Sequence, residues 1–363
     1  METVPKEPVL YMVIGLAVVV LSVLVLPFRV KKIEENLEPF FLVMGIIAVT
    51  ISGLWSWELA KEALKAPVMI GAIPVGIFQV VLIFGLLVHY FNKPFCDGVI
   101  SFATKLGPTV FIALLIVVLG LVSSIVSVIV TACILAEVIA ALPFTRSDKI
   151  KIVVVTCFAA GLGAGLTPVG EPLSTILVQK LAGPPYNAGF FFPLQTLGIY
   201  IIPGVIAIAI FGALYIGRRI DFRAEEIESE YAETLRTVIM RAVKVYIFVA
   251  ALILLGEGLK PLIVWYFTKI PAWAFFWINT VSAILDNATL TAVEIGPTMS
   301  LSQIISAVMG LLIAGGMLIP GNIPNIVAAG RLKINMKEWA VIGVPIGLVV
   351  MIIYFLIMIP LLF

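Results

Sequence analysis

Apolar runs of membrane-crossing length alternate with short polar joints along nearly the whole chain, and runs of that length predict helices rather than strands. The first run, 9–26, ends at Pro27 and a charged loop over 29–38. Runs at 40–57 and 67–90 follow, separated by a short polar connection at 58–65; Trp55 and Trp57 mark an interface, and Pro74 is a kink position. Residues 92–107 mix apolar and polar groups as a helix lying along a membrane surface does. The run 108–142 is long for one span and is interrupted by Ser123, Ser124, Ser127 and Thr131, so it reads as a re-entrant hairpin with its tip at those hydroxyls. Residues 152–181 read as a span broken by GLGAGLTPVGEPLST, whose glycines, prolines and Glu171 do not suit a continuous lipid-facing helix. A full span at 190–216 carries Gln195. The hydrophilic stretch 218–244 is expected to be an amphipathic surface helix, and 245–256 completes the next span.

The remainder echoes what precedes it. Residues 258–270 lead to Pro271 as 98–106 lead to Gly107 and Pro108, and TKIP resembles TKLGP. A polar tip follows in each case, SSIVSVIVT from Ser123 and SAILDNATLT from Ser282. One acid sits on each returning arm, Glu137 and Glu294. A broken span comes next, GLTPVGEPLS from Gly165 and GMLIPGNIPN from Gly316, and each half ends in a complete apolar helix, the last over 339–362. The organisation expected is scaffold helices over 1–90, a first repeat over 91–217, a linker over 218–244 and a second repeat over 245–363, with about eight full spans and two hairpins. With the N-terminus outside, seventeen of the 23 Lys and Arg residues fall in cytoplasmic loops, among them Arg146, Arg219, Arg331 and Lys333. That orientation puts both termini outside and makes the two repeats inverted, an arrangement found in secondary transporters with a site near the bilayer midplane.

Composition narrows the class. The chain has 363 residues, 62% hydrophobic and 12% charged, which describes a polytopic membrane protein with no soluble domain. A net charge of +2 is too small to suggest a nucleic-acid partner. Cys96, Cys133 and Cys157 have no paired or metal-binding spacing, and His89 beside Tyr90 reads as interfacial. The first run lacks a small-residue cleavage site and is followed by Arg29, Lys31 and Lys32, so it reads as an anchor rather than a signal peptide.

The richest chemistry lies at 279–294, where NTVSAILDNATLTAVE places Asn279, Thr280, Ser282, Asp286, Asn287, Thr289, Thr291 and Glu294 within an apolar run. Lipid offers such groups no hydrogen bonds, so each needs a partner in the protein or in a water-filled cavity. An ionisable residue at that depth marks a candidate functional site. The structural alternative is that Asn287 and Thr289 only join helices. The triplet Asn287-Ala288-Thr289 also fits a glycosylation site, which membrane depth excludes. Broken helices expose backbone dipoles that suit either ion sign. Glu137, Glu171, Glu257, Asp286 and Glu294 then weigh toward a cation, with no lysine or arginine among them on this map, and hard cations take such oxygens. Asp286 and Glu171 are the sharpest ligand candidates, for a sodium-like ion. Glu137 and Glu294 are further proton-coupling candidates with an interfacial alternative, and Glu257 reads as structural. Gly161, Gly163 and Gly165 fit either close helix packing or close approach to an ion.

These motifs resemble a family. TPVGEPLS at 167–174 resembles the TPxGNPxN element of the ion transporter superfamily, and PGNIPN at 320–325 resembles its second copy. SAILDNATLTA at 282–292 is similar to an acidic-amide element of NhaD-type sodium/proton antiporters and their arsenite-permease relatives. A small prokaryotic branch of predicted cation transporters is the nearest likeness. The resemblance implies an all-α polytopic inverted-repeat transporter with two re-entrant hairpins, two broken transmembrane helices and a mobile transport unit, in a prokaryotic cytoplasmic membrane. It implies an ion or substrate site at Asp286, Asn287, Thr167, Glu171, Ser174, Asn322 and Asn325, to which the polar tips read from the sequence add Ser282, Thr289, Thr291, Ser124, Ser127 and Thr131 as candidates. Coupling falls to Asp286, Glu171, Glu137 or Glu294. Glu171 and Ser174 stand where asparagines are usual, and Val128-Ile129 stand where the second tip has Asp286-Asn287.

The expected function is cation/proton exchange with no cofactor. The expected partners are the ion, the proton and the bilayer, with a homodimer left open. A sodium-coupled carrier of an oxyanion or carboxylate is the alternative within transport. An intramembrane enzyme is the alternative outside it: an aspartyl protease needs two aspartates at depth, yet Asp97, Asp148 and Asp221 fall in expected loops, and neither a nucleophile elbow nor HExxH occurs.

Overall fold

The apolar runs are helices, and the described residues contain no strand. The computed structural model describes residues 5, 7–34, 36–69, 77–220, 234–266, 270–285 and 287–362. The first group is α1 (Leu10–Arg29), α2 (Lys31–Glu34), α3 (Leu37–Ser52), α4 (Trp57–Lys65), α5 (Ile77–Tyr90) and α6 (Asn92–Leu106). Gly53 (φ 69°) and Gly107 (φ 74°) end α3 and α6 in the left-handed region, which a glycine adopts without steric cost. The segment 58–65 is not a simple connection. It lies in α4, capped by the Ser56 side chain accepting from Leu59 N at 3.0 Å, and it buries Leu59 and Ala63.

The first broken region is α7 (Pro108–Val126), α8 (Val128–Ala141), α9 (Arg146–Ala164) and α10 (Pro172–Lys180), followed by the long helix α11 (Phe192–Tyr215). The second is α12 (Leu235–Tyr266), α13 (Ala272–Ile278), a 3-10 segment (Asn279–Ala283), α14 (Asn287–Glu294), α15 (Leu301–Ala314), a 3-10 turn (Ile319–Gly321) and α16 (Ile323–Leu332). The long helix α17 (Met336–Leu362) follows it. Among the described residues five helices, α1, α7, α11, α12 and α17, are long and apolar enough to cross a membrane. Shorter apolar helices include α3, α8 and α15. This is an all-α membrane protein.

Two boundaries differ from expectation. α12 runs unbroken across 244–245, where a linker was expected to meet the second repeat; its first turns carry Arg236 and Lys244, so hydropathy alone hides its start. The surface helix expected over 218–244 falls partly outside the described residues. α7, expected as one arm of a shallow hairpin, is 19 residues long. At 1.5 Å per residue it spans about 28 Å, nearly a full hydrocarbon core.

α9 and α15 form the centre and are buried along almost their whole length. Their surroundings correspond. α9 packs against α7 and α11, α15 against α13 and α17, α7 against α11, and α13 against α17. Across the halves, α8 packs on α16 while α14 packs on α10. Each arm that follows a polar tip thus lies on the helix that follows the other half's break.

Candidate functional site

Four chain interruptions meet around the two central helices. The first is Ser127, whose φ of 108° separates α7 from α8. The second is the break 165–171 between α9 and α10. Val128 N donates to Gly170 O at 2.8 Å, and the Thr167 hydroxyl donates to Ser124 O, so these two interruptions are joined through backbone groups that helices leave free. The third interruption is 279–285 and the fourth is 315–322. A Cβ at Gly321 would stand 2.6 Å from Ser282 O, so this pair is also in close contact.

The breaks share a local design. Glu171 (φ −155°, ψ 159°) and Asn322 (φ −153°, ψ 148°) are both extended N-cap residues, each with a proline in the first turn that follows. Three residues on, Ser174 Oγ donates to Gly165 O at 2.8 Å, and Asn325 Nδ2 donates to Gly315 O and Leu318 O at 2.8 Å each. Both side chains satisfy carbonyls that the preceding helix end leaves open, and both are fully buried.

The halves are joined by polar contact. Asn287 Nδ2, at the start of α14, donates to Glu171 Oε2 at 3.4 Å, and both residues are buried. A Cβ at Gly161 would stand 2.8 Å from Asn322 Nδ2, so that glycine admits the other half's amide. Gly163 serves packing instead: its Cβ would lie 1.6 Å from Gly120 O on α7.

The expected site residues fall into three groups. Glu171, Asn287, Ser174, Thr167, Asn322, Asn325, Ser282, Ser124 and Ser127 lie at the interruptions. Thr131 and Thr291 are buried one turn inside α8 and α14, each bonded back to a carbonyl four residues earlier (Thr131 Oγ1 to Ser127 O, 3.0 Å; Thr291 Oγ1 to Asn287 O, 2.8 Å). Asp286 and the side chain of Thr289 lie outside the described residues.

One family model, described as a protein of unknown function (DUF1646), matches residues 13–361. The chain belongs to that family. No curated protein matches it. The match runs from α1 into α17, so the DUF1646 unit contains both broken regions and all four interruptions.

The acids separate sharply. The map without basic residues at depth is corrected by Arg331. Expected in a loop, it is buried in α16, and its Nε donates to Glu137 Oε1 at 2.8 Å and Oε2 at 2.9 Å. Glu137 is therefore neutralised inside the protein. Lys149 is also buried, donating to Ala140 O at 3.1 Å. Glu257 pairs with Lys260 at 2.7 Å. Glu294 differs: both its carboxylate oxygens are sealed in the protein with no hydrogen-bond partner. Asn279, left out of the expected ligand set, is fully buried; its Nδ2 donates to Ala307 O at 3.0 Å while Oδ1 has no partner. Ser282 Oγ and Asn325 Oδ1 are likewise buried and unpartnered. The signal for Asn279 was in the sequence, as the first polar residue of 279–294, but it precedes the motif that drew attention.

The arrangement presents buried oxygens: carboxylate at Glu171 and Glu294, amide at Asn279 and Asn325, hydroxyl at Ser282. That set suits a hard monovalent cation. Among the described residues no three His, Cys, Asp or Glu side chains gather as a transition-metal site would need. A cavity of about 700 Å³ reaches Ile319 of the fourth interruption, and its lining includes Lys31, Glu38, Arg236, Lys244 and Lys333.

Proposed function

We propose that the protein is a secondary transporter of a small cation, of the sodium/proton exchange type, working by alternating access. The observation that carries this reading is the meeting of four chain interruptions at buried carboxylate, amide and hydroxyl oxygens inside an all-α membrane protein. Irregular backbone at membrane depth is tolerated where it lines a site, and discontinuous helices supply the free dipoles that hold ions. The matched packing of the halves supports descent from a repeat; inversion follows if both termini are outside, as the distribution of basic residues favours. The motif resemblance to the ion transporter superfamily points the same way. In this reading Asp286, next in sequence to the Asn287 that bonds Glu171, takes the ion and proton in turn, in a prokaryotic cytoplasmic membrane, without a cofactor and without enzymatic chemistry.

The test is exchange in proteoliposomes: an imposed sodium or lithium gradient should move protons, read by an internal pH dye. Sealed vesicles holding folded protein that show neither sodium- nor lithium-driven proton flux at any pH would sink the proposal. Orientation has its own check, because a cysteine at position 219 should resist impermeant reagents added to intact cells.

A second reading has one specific observation behind it. The basic side chains around the 700 Å³ cavity suit an anion, as a sodium-coupled oxyanion or carboxylate carrier requires. Sodium-dependent uptake of a labelled anion, with no proton exchange in its absence, would decide for it.

A further inference from the structure

Each half carries one acid on the arm after its polar tip, Glu137 on α8 and Glu294 on α14. Each arm packs on the opposite half's post-break helix, α8 on α16 and α14 on α10. On α16 the ninth residue after the N-cap Asn322 is Arg331; on α10 the ninth after the N-cap Glu171 is Lys180. The first half uses this geometry to build a buried ion pair. The second does not: Lys180 is exposed, and Glu294 keeps two sealed oxygens without a hydrogen-bond partner. The Asn279 side chain lies alongside it, with its own Oδ1 unpartnered and the residue fully buried.

We infer that Glu294 and Asn279 form a second exchangeable cation site, in which a monovalent cation or a proton takes the place that the Arg331 guanidinium holds beside Glu137. A sealed carboxylate needs a positive partner or a proton, because it is not kept charged and unpaired away from water. Among the described side chains no fixed cation is paired with Glu294. The helices packed on α14 are α10, α12 and α15. α10 offers only Lys180. α12 carries Arg236, Arg241, Lys244, Tyr246, Glu257, Lys260 and Tyr266, of which Lys244 pairs with Glu38 at 3.5 Å and Lys260 with Glu257. α15 has no titratable side chain. The site uses neither Glu171 nor Asn287. It rests on the cation-transport reading for its purpose, while its existence is tested without transport.

Infrared difference spectra of the full-length protein in lipid nanodiscs, taken between choline and sodium chloride and between acidic and basic buffer, report protonated carboxyl groups directly. In Asp286→Asn, which removes the carboxyl of the proposed transport site, a carboxylic-acid band should be present in choline, diminish with sodium and with rising pH, persist when Lys180→Met is added, and vanish when Glu294→Gln is added. If Glu294→Gln fails to fold, Glu294→Asp should fold and shift the midpoint of the band. A band that is unchanged in Glu294→Gln, that ignores both sodium and pH, that keeps its midpoint in Glu294→Asp, or that is lost in Lys180→Met overturns the inference. Transport without this band leaves the transport reading standing and removes the site; the band without transport does the reverse.

Discussion

The two tip-and-break pairs occupy matching places and differ in what they leave unsatisfied. In the first, Ser123 Oγ donates to Gly120 O and Ala160 O at 2.7 and 2.9 Å, Thr167 bonds Ser124 O, and Val128 N bonds Gly170 O. Its arm acid is closed off by Arg331. In the second, Asn279 takes the role of Ser123 against the central helix, yet Asn279 Oδ1, Ser282 Oγ and both Glu294 oxygens are buried and unpartnered. A buried polar atom without a partner carries a desolvation cost, and a fold that tolerates several in one half has a use for them. The difference lies on the arms after the two tips: the acid of the first is held by Arg331, and the oxygens of the second have no hydrogen-bond partner.

The largest effect expected from breaking this contrast is Asp286→Asn. The second tip has Asp286 and Asn287 where the first has Val128 and Ile129. Removing the charge makes both tips neutral, so proton-coupled exchange in proteoliposomes should fall to background while the protein still elutes as a single folded species. Wild-type exchange in that variant would move the ion site elsewhere.

Next comes Arg331→Met, which leaves Glu137 buried without its cation. Loss of one member of a buried pair costs about 3–5 kcal/mol. Thermal unfolding in detergent should show a large drop, and the double variant Glu137→Gln, Arg331→Met should recover most of it. If the single variant is as stable as wild type, the pair does not hold the first half closed. A smaller loss, about 1–3 kcal/mol for overpacking, is expected from Gly163→Ala, whose added methyl would meet Gly120 O on α7. A matched Gly183→Ala change has open space and should leave the unfolding temperature within error.

Much of this contrast could be read from the chain. Polar groups are rare at membrane depth, so the hydroxyls at 123–131, the break around Glu171 and the run at 279–294 all stood out. The structure places irregular backbone at each: Ser127, 165–171 and 279–285. Arg331 was misplaced because a basic residue at the end of an apolar helix looks like an interfacial anchor. Only the approach of α8, from the other half, shows that it is buried. The start of α12 was hidden by Arg236 and Lys244, which keep the average polarity high although helical hydrogen bonding continues beneath them. Local pattern identifies groups that need partners; which half supplies the partner is tertiary information.

The smallest expected effect sharpens the contrast most finely. Gly330 sits in α16 immediately before Arg331, exposed, with open space where a Cβ would go. Alanine there meets nothing and removes the backbone freedom that glycine brings to a helix, a gain of up to about 1 kcal/mol. The change touches neither Glu137 nor any unpartnered oxygen. If α16 is a fixed support for the Glu137–Arg331 pair, Gly330→Ala should raise the unfolding temperature slightly and leave the exchange rate unaltered. If α16 instead has to bend near the pair during each cycle, the same stiffening should slow exchange with no change in ion affinity. A slowed rate at unchanged affinity would therefore show that the first half moves as part of the cycle, and that its buried pair is a joint rather than a brace.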